Sequence, residues 1–181
     1  MTDRIDFVDI AGCKTEILRG GSGAPLVFLH GAGGNQGWMP FMEVLAENYD
    51  VIAPSHPGFG QSDTPDWLDG IDDVVHFYLE FLESLGLEGA HLVGNSLGGW
   101  IAAEIALRNA SRLASLTLVA AAGILVKGEP MGDVFIWTDE ERARNLFFDQ
   151  SLAEALLAQT PDEAAKDIAL KNRVASARLA W

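Results

Sequence analysis

Short apolar runs alternating with amphipathic helical stretches predict an α/β fold, a mostly parallel sheet with helices on both faces. Three observations carry that expectation. Leu26-Val27-Phe28-Leu29, Val51-Ile52-Ala53 and Leu92-Val93 read as buried strands, each running into a Gly- or Pro-rich loop. Residues 71–85 place Val74, Val75, Tyr78, Leu79, Phe81, Leu82 and Leu85 at helical spacing. Hydrophobic residues make up 49% of 181, which is enough to build the core of one domain.

The elements follow in order. Residues 3–10 and 13–19 read as a β-hairpin around Ala11-Gly12, with alternation in Ile5, Phe7 and then Ile17. Gly20-Gly21-Ser22-Gly23 is a turn before the strand at 26–29. Trp38, Phe41, Met42 and Leu45 place a helix around 38–47, followed by a strand at 50–54 and a loop to Gly70. After the helix at 71–85, Gly89 to Val93 reads as a turn and a short strand, and Trp100 to Asn109 as an Ala-rich helix. Leu113 to Val119 is a sixth strand. The core is thus expected over residues 1–123. Residues 124–181 form a second segment, rich from 139 onward in alanine and helically spaced charges. Asp139-Glu140-Glu141 and Pro161-Asp162-Glu163 look like helix starts, with acids in the first turn and a proline at the second of them.

Charge narrows the function classes. A net charge of −14 argues against nucleic acid and against anionic membrane surfaces as partners. No apolar run approaches the length of a membrane span, and the first six residues do not resemble a signal peptide. Cys13 is the single cysteine, which leaves no internal disulfide and fits a reducing cytoplasm. Its expected place is a buried position in an N-terminal strand. No clustered His, Cys, Asp or Glu ligands stand out, so no metal and no organic cofactor is implied. The expected partner is a small-molecule substrate.

The chemistry-bearing stretch is Leu92-Val93-Gly94-Asn95-Ser96-Leu97-Gly98-Gly99-Trp100. An apolar strand enters it, a helical pattern leaves it, and Ser96 sits at the corner between Gly94 and Gly98. A serine on such a corner has strained backbone and an exposed hydroxyl, and the flanking glycines supply the room it needs. Two further blocks precede it. His30-Gly31-Ala32-Gly33-Gly34 follows the strand at 26–29 at once, and Pro57-Gly58-Phe59-Gly60-Gln61-Ser62 follows the strand at 50–54.

In that order the three blocks resemble the α/β-hydrolase fold superfamily, over about residues 7–119. The resemblance implies that Ser96 is the catalytic nucleophile. It implies an oxyanion hole made by the backbone N–H groups of Ala32, with Gly33 as its neighbour option, and Leu97. Gly31, Gly33 and Asn95 would line the substrate site. The segment at 124–181 would be part of a helical cap, and the chain would hold six of the usual eight strands.

The rest of the catalytic apparatus is harder to find. A serine hydroxyl needs a base to take its proton and a carboxylate to orient that base. In this superfamily the order along the chain is Ser, acid, His. All four histidines, His30, His56, His76 and His91, precede Ser96. His30 reads as a residue that orients its loop. His91 lies at the far end of the elbow strand, and His76 on the surface of a helix. His56 is the one substitute base, in a geometry the superfamily does not use. Where some relatives carry the acid, Ala120-Ala121-Ala122-Gly123 offers no carboxylate. The 181 residues are therefore expected to be the N-terminal part of a longer hydrolase, inactive alone, and marginally stable or self-associating.

A serine in place of an elbow aspartate disfavours epoxide hydrolase and haloalkane dehalogenase chemistry. It favours acyl transfer to water, as in esterases, lactonases and thioesterases. Asn95 beside the nucleophile also resembles hydrolases that cleave carbon–carbon bonds in ring-fission products. A non-catalytic binding module on the same fold is the third reading. Arg173 and Arg178 would supply a cation for a substrate carboxylate, or stand as solvated charges on a helix face.

Overall fold

The computed structural model describes residues 5–129 and 132–180. Ala11 and Gly12 both take positive φ, 53° and 72°, the two-residue turn whose twist suits a hairpin. It joins β1 (Ile5–Ile10) antiparallel to β2 (Cys13–Gly21). β2 pairs antiparallel with β4 (Tyr49–Pro54). From there the sheet is parallel, β4 with β3 (Ala24–Leu29), β3 with β5 (Ala90–Asn95), and β5 with β6 (Leu113–Val119). The strand order is β1-β2-β4-β3-β5-β6. Its functional consequence lies in the register, which sets Leu29 beside Gly94 and so brings together the loops leaving β3 and β5. Sites in such sheets form outside the carboxyl ends of the strands.

Alternation along the strands divides the core into two clusters, one on each face of the sheet. Val27, Leu29, Ile52 and Leu92 pack with α2 (Ile71–Ser84) and α3 (Leu97–Arg108). Leu26, Val51 and Ala53 pack with Met42 of α1 (Pro40–Leu45). Cys13 is buried in the first cluster, as its strand position suggested. α1 is shorter than the stretch 38–47 because Pro40 sets its first turn and Met39 provides no side-chain cap. α3 begins at Leu97, three residues before the expected start. Gly98 and Gly99 are weak helix formers, and tertiary fit overrides that propensity.

Among the described residues three helices follow β6. α4 (Asp139–Leu146) opens with a reciprocal cap in which Glu141 N–H donates to Thr138 Oγ1 at 3.2 Å and Thr138 N–H to the Glu141 carboxylate at 2.8 Å. α5 (Gln150–Leu157) is capped by Asp149, which accepts from Ser151 N–H. α6 (Glu163–Ala180) packs on the loops after β3 and β4, and its Ala175 and Leu179 join the cluster that contains α2 and α3. Among the described residues no helix is long and apolar enough to cross a membrane.

β6 is the edge of the sheet, and Leu116, Leu118 and Val119 are 39%, 40% and 45% exposed on it. An apolar edge with open backbone groups invites pairing with another chain. The 181-residue chain is expected to self-associate at micromolar concentration, and Leu118→Lys to shift it toward monomer in sedimentation velocity. A strictly monomeric wild-type sample with a sharp cooperative melt contradicts this.

Candidate active site

Ser96 stands between β5 and α3 with φ 52° and ψ −114°. For a residue other than glycine this backbone costs on the order of 1–3 kcal/mol, so the surroundings must impose it. Hydrogen bonds do so on both sides of the peptide. Ser96 N–H donates to Val119 O at 2.9 Å, at the end of β6. Ser96 O accepts from Gly99 N–H (2.9 Å), Trp100 N–H (3.1 Å) and Ala122 N–H (2.9 Å). Close approach does the rest. A Cβ on Gly94 would lie 2.3 Å from Gly98 O, and one on Gly98 would lie 2.2 Å from Leu29 O and 2.6 Å from His30 O. Those contacts are with backbone, which cannot swing away.

The first turn of a helix has no helical acceptors for its N–H groups. Here Gly99 and Trp100 turn back onto Ser96 O, so Leu97 and Gly98 carry the remaining pair next to the serine hydroxyl. The positive end of the α3 dipole reinforces them.

The loop after β3 faces this corner. Gly31 O accepts from His30 Nδ1–H at 2.7 Å and from Gly34 N–H at 3.0 Å. Two donors on one carbonyl fix the plane of the Gly31–Ala32 peptide, and in a trans peptide Ala32 N–H then points the opposite way. A Cβ on Gly31 would lie 3.2 Å from Ser96 Cβ and 3.3 Å from Asn95 Nδ2, so loop and elbow touch at Gly31. Gly33 is exposed, and a Cβ there would meet only Gln36 Nε2, at 3.7 Å. Gly31 is thus the position where a side chain would crowd Ser96 and Asn95. Asn95 itself is half-buried at the last position of β5.

The histidines have definite tautomers. His30 Nε2 accepts from His56 N–H at 3.0 Å, which leaves Nδ1 as the donor to Gly31 O. His56 Nε2 donates to His30 O at 2.9 Å, so His56 Nδ1 accepts from the Tyr78 hydroxyl at 2.5 Å. The rings lie 3.7 Å apart and are fully enclosed. Burial lowers His30 to about 4. Burial, with the neighbouring His30, holds His56 well below its ordinary value, and burial raises Tyr78 well above its own. All four ring nitrogens are engaged, so His56 has no lone pair free for the Ser96 proton. His30 holds its own loop, the role its position suggested. His76 is exposed and bonded to Asp72 O. His91 bonds Ser115 Oγ, about 16 Å along β5 from Ser96 at the usual strand rise.

Sequence reasoning missed the polar face of α6. Asn172 is buried, donates from Nδ2 to Gly33 O at 2.9 Å and accepts at Oδ1 from Gly60 N–H at 3.0 Å. Ser176 Oγ lies 3.0 Å from Ala32 O, and Lys171 Nζ donates to Gly60 O and Ser62 O, both at 2.8 Å. The available signal was the spacing of Asn172 and Ser176, one helical turn apart beside the small apolar pair Ala175 and Leu179. Glu16 was also missed. Its buried carboxylate accepts from Ser55 Oγ (2.8 Å), Gln61 N–H (3.1 Å) and Gln61 Nε2 (3.1 Å). Arg173 and Arg178 are exposed on α6. A surface cleft of about 420 Å³ lined by Ile71, Trp100, Glu104 and Leu179 includes none of Ser96, Ala32 or Leu97.

The family model described as alpha/beta hydrolase fold matches residues 24–179. Over 119 residues the chain is 39% identical to a 2-hydroxymuconate semialdehyde hydrolase of Pseudomonas sp. strain CF600, covering 63% of this chain and 42% of that protein. Also over 119 residues it is 36% identical to a dihydrolipoyllysine-residue acetyltransferase component of the acetoin cleaving system of Cupriavidus necator, covering 65% and 32%. A meta-cleavage product hydrolase from Pseudomonas fluorescens superposes with a TM-score of 0.70 at 30% identity, covering 92% of this chain and 63% of that one. The matched segment spans less than half the length of these two curated relatives.

At pH 5.5, imidazole ¹⁵N–¹H correlation spectra are expected to show His30 protonated on Nδ1 alone and His56 on Nε2 alone. Stability from the enclosed pair is complete above about pH 6.5, where the unfolded histidines are neutral too. It falls as pH drops toward 4, because only the unfolded chain takes up the protons. A doubly protonated His30 or His56 ring in the folded protein at pH 5.5 contradicts the assignment.

Proposed function

We propose a function for this chain from one premise: it belongs to the alpha/beta hydrolase fold family. Ser96 is the nucleophile of a serine hydrolase acting on ester-type or related small molecules. The observation that carries this reading is its positive-φ backbone at the corner of β5 and α3, with Gly31 of the loop after β3 close against it. Oγ attacks the substrate carbonyl, and the negative charge develops on the carbonyl oxygen. Leu97 and Ala32 N–H donate to that oxygen. Collapse of the tetrahedral species expels the alcohol, which takes up the proton the base drew from Ser96 Oγ, and leaves an acyl-enzyme that water cleaves to the free acid. Gly31, Gly33 and Asn95 line the approach. On this reading α4 and α5 contribute the helical cap, whereas α6, expected as part of that cap, packs into the core through Ala175 and Leu179.

The base and the acid come from outside these 181 residues. The motive is the engagement of His30 and His56 and the distance of His91. A second reading, hydrolysis of a carbon–carbon bond in a ring-fission product, is favoured by the relatives named as 2-hydroxymuconate semialdehyde and 2-hydroxy-6-oxo-2,4-heptadienoate hydrolases. On that reading Asn95 positions the polar dienol, and Arg173 or Arg178 receives a substrate carboxylate. The Ser96 elbow serves both.

At neutral pH free phenylboronic acid is trigonal, and it becomes tetrahedral on adding to a reactive serine, whose proton passes to solvent. The 181-residue chain is expected to give a tetrahedral ¹¹B signal that Ser96→Ala abolishes. Turnover of p-nitrophenyl acetate is expected to fall short of a complete serine hydrolase by a factor on the order of 10⁶. A boronate signal that survives Ser96→Ala removes the nucleophile assignment. Rapid turnover lost in Ser96→Ala places a base within these residues.

A further inference from the structure

We infer that Asn172 is a positioning residue for the oxyanion loop, aiming the Ala32 N–H through a closed chain of backbone hydrogen bonds. The inference rests on the reading of Ser96 as nucleophile. Asn172 is 3% exposed, and both ends of its amide are occupied by main chain from two different loops. One is the loop after β3, through Gly33 O. The other is the loop after β4, through Gly60 N–H. The fit is tight, since a Cβ on Gly34, itself at φ 81°, would lie 2.2 Å from Asn172 Nδ2.

Each held carbonyl sets the direction of the next residue's N–H, because the peptide is planar and trans. Asn172 holds Gly33 O, which directs Gly34 N–H. Gly34 N–H donates to Gly31 O at 3.0 Å. Gly31 O, held there and by His30, directs Ala32 N–H, the donor proposed for the developing oxyanion. Gln36 Nε2 also reaches Gly33 O, at 2.9 Å, but its side chain is exposed and water can replace it. Asn172 is enclosed and held at both ends of its amide. Its loss leaves Gly33 O to the exposed Gln36 and solvent, which do not fix its direction, and leaves Gly60 N–H without its acceptor. Ser176 adds a parallel contact to Ala32 O from one turn further along α6. Lys171 fixes the second loop against the same helix through Gly60 O and Ser62 O.

The test compares folded variants of the 181-residue chain in two readouts, phenylboronic acid affinity by ¹¹B NMR and hydrogen exchange of the Gly34 amide. Asn172→Asp keeps the size and the acceptor for Gly60 N–H but cannot donate to Gly33 O. Asn172→Ala serves where the buried carboxylate prevents folding. Leu179→Ala is the control, since it loosens the core packing of α6 without touching a loop carbonyl. The Asn172 variants are expected to bind boronate about tenfold more weakly and to exchange the Gly34 amide faster, a fraction of what losing an oxyanion donor costs. Leu179→Ala is expected to lower the melting temperature and leave the boronate affinity within about twofold of wild type.

Wild-type affinity and exchange in the Asn172 variants overturn the inference. So does an equal loss of affinity in Leu179→Ala, which reduces the effect to stability. A wild-type chain that forms no adduct at Ser96 defeats the nucleophile reading instead. The Gly34 exchange rate still decides whether Asn172 holds the loop.

Discussion

The positive-φ backbone of Ser96 exists because strand, loop and helix converge on it with no side chains in between. β5 delivers Gly94 to within van der Waals contact of Gly98, and β3 delivers Leu29 O and His30 O onto the same Gly98. The parallel register that sets Leu29 beside Gly94 makes both approaches possible at once. Ser96 N–H and O then tie the corner to Val119 and Ala122, at and beyond the end of β6. Sheet order, helix start and loop position therefore meet in one local constraint. Relaxing it at any of these five contacts would release strain and move the hydroxyl.

Beneath the corner lies a hydrogen-bonded polar interior. His30, His56 and Tyr78 satisfy one another and the main chain. Glu16, Ser55, Ser62 and Gln61 do the same for the loop after β4. Among the described residues Asn35 Oδ1 is the one buried side-chain polar atom without a partner. Hydrogen bonds from Ser55 and Gln61 compensate the buried Glu16 carboxyl group, and neutral histidines keep positive charge out of the interior, where desolvation would be costly. The network stitches the loops after β3 and β4 into a single rigid floor. α6 closes that floor through Lys171, Asn172 and Ser176.

What the sequence made legible was local. The strand–serine–helix corner, the His-Gly loop and the alternation of strands and helices are each written within about ten residues, and their order implied the sheet. The role of His30 was also legible, since a histidine leading a glycine loop has main chain within reach. The engagement of His56 was not, because Tyr78 reaches it from 22 residues away on α2. Asn172 was hidden further still, with partners 112 and 139 residues distant and a helix that reads as charged and alanine-rich. The early start of α3 was missed for a different reason. Gly98 and Gly99 are chosen for close approach, and that requirement runs against helix propensity.

The most direct test of the corner is a crystal structure of the chain reacted with phenylboronic acid. The expected result is tetrahedral boron on Ser96 Oγ, with one boronate oxygen about 3 Å from both Ala32 N and Leu97 N and Ser96 still at positive φ. An adduct whose oxygens meet only solvent, or a Ser96 with negative φ, contradicts the assignment of this corner as the catalytic centre.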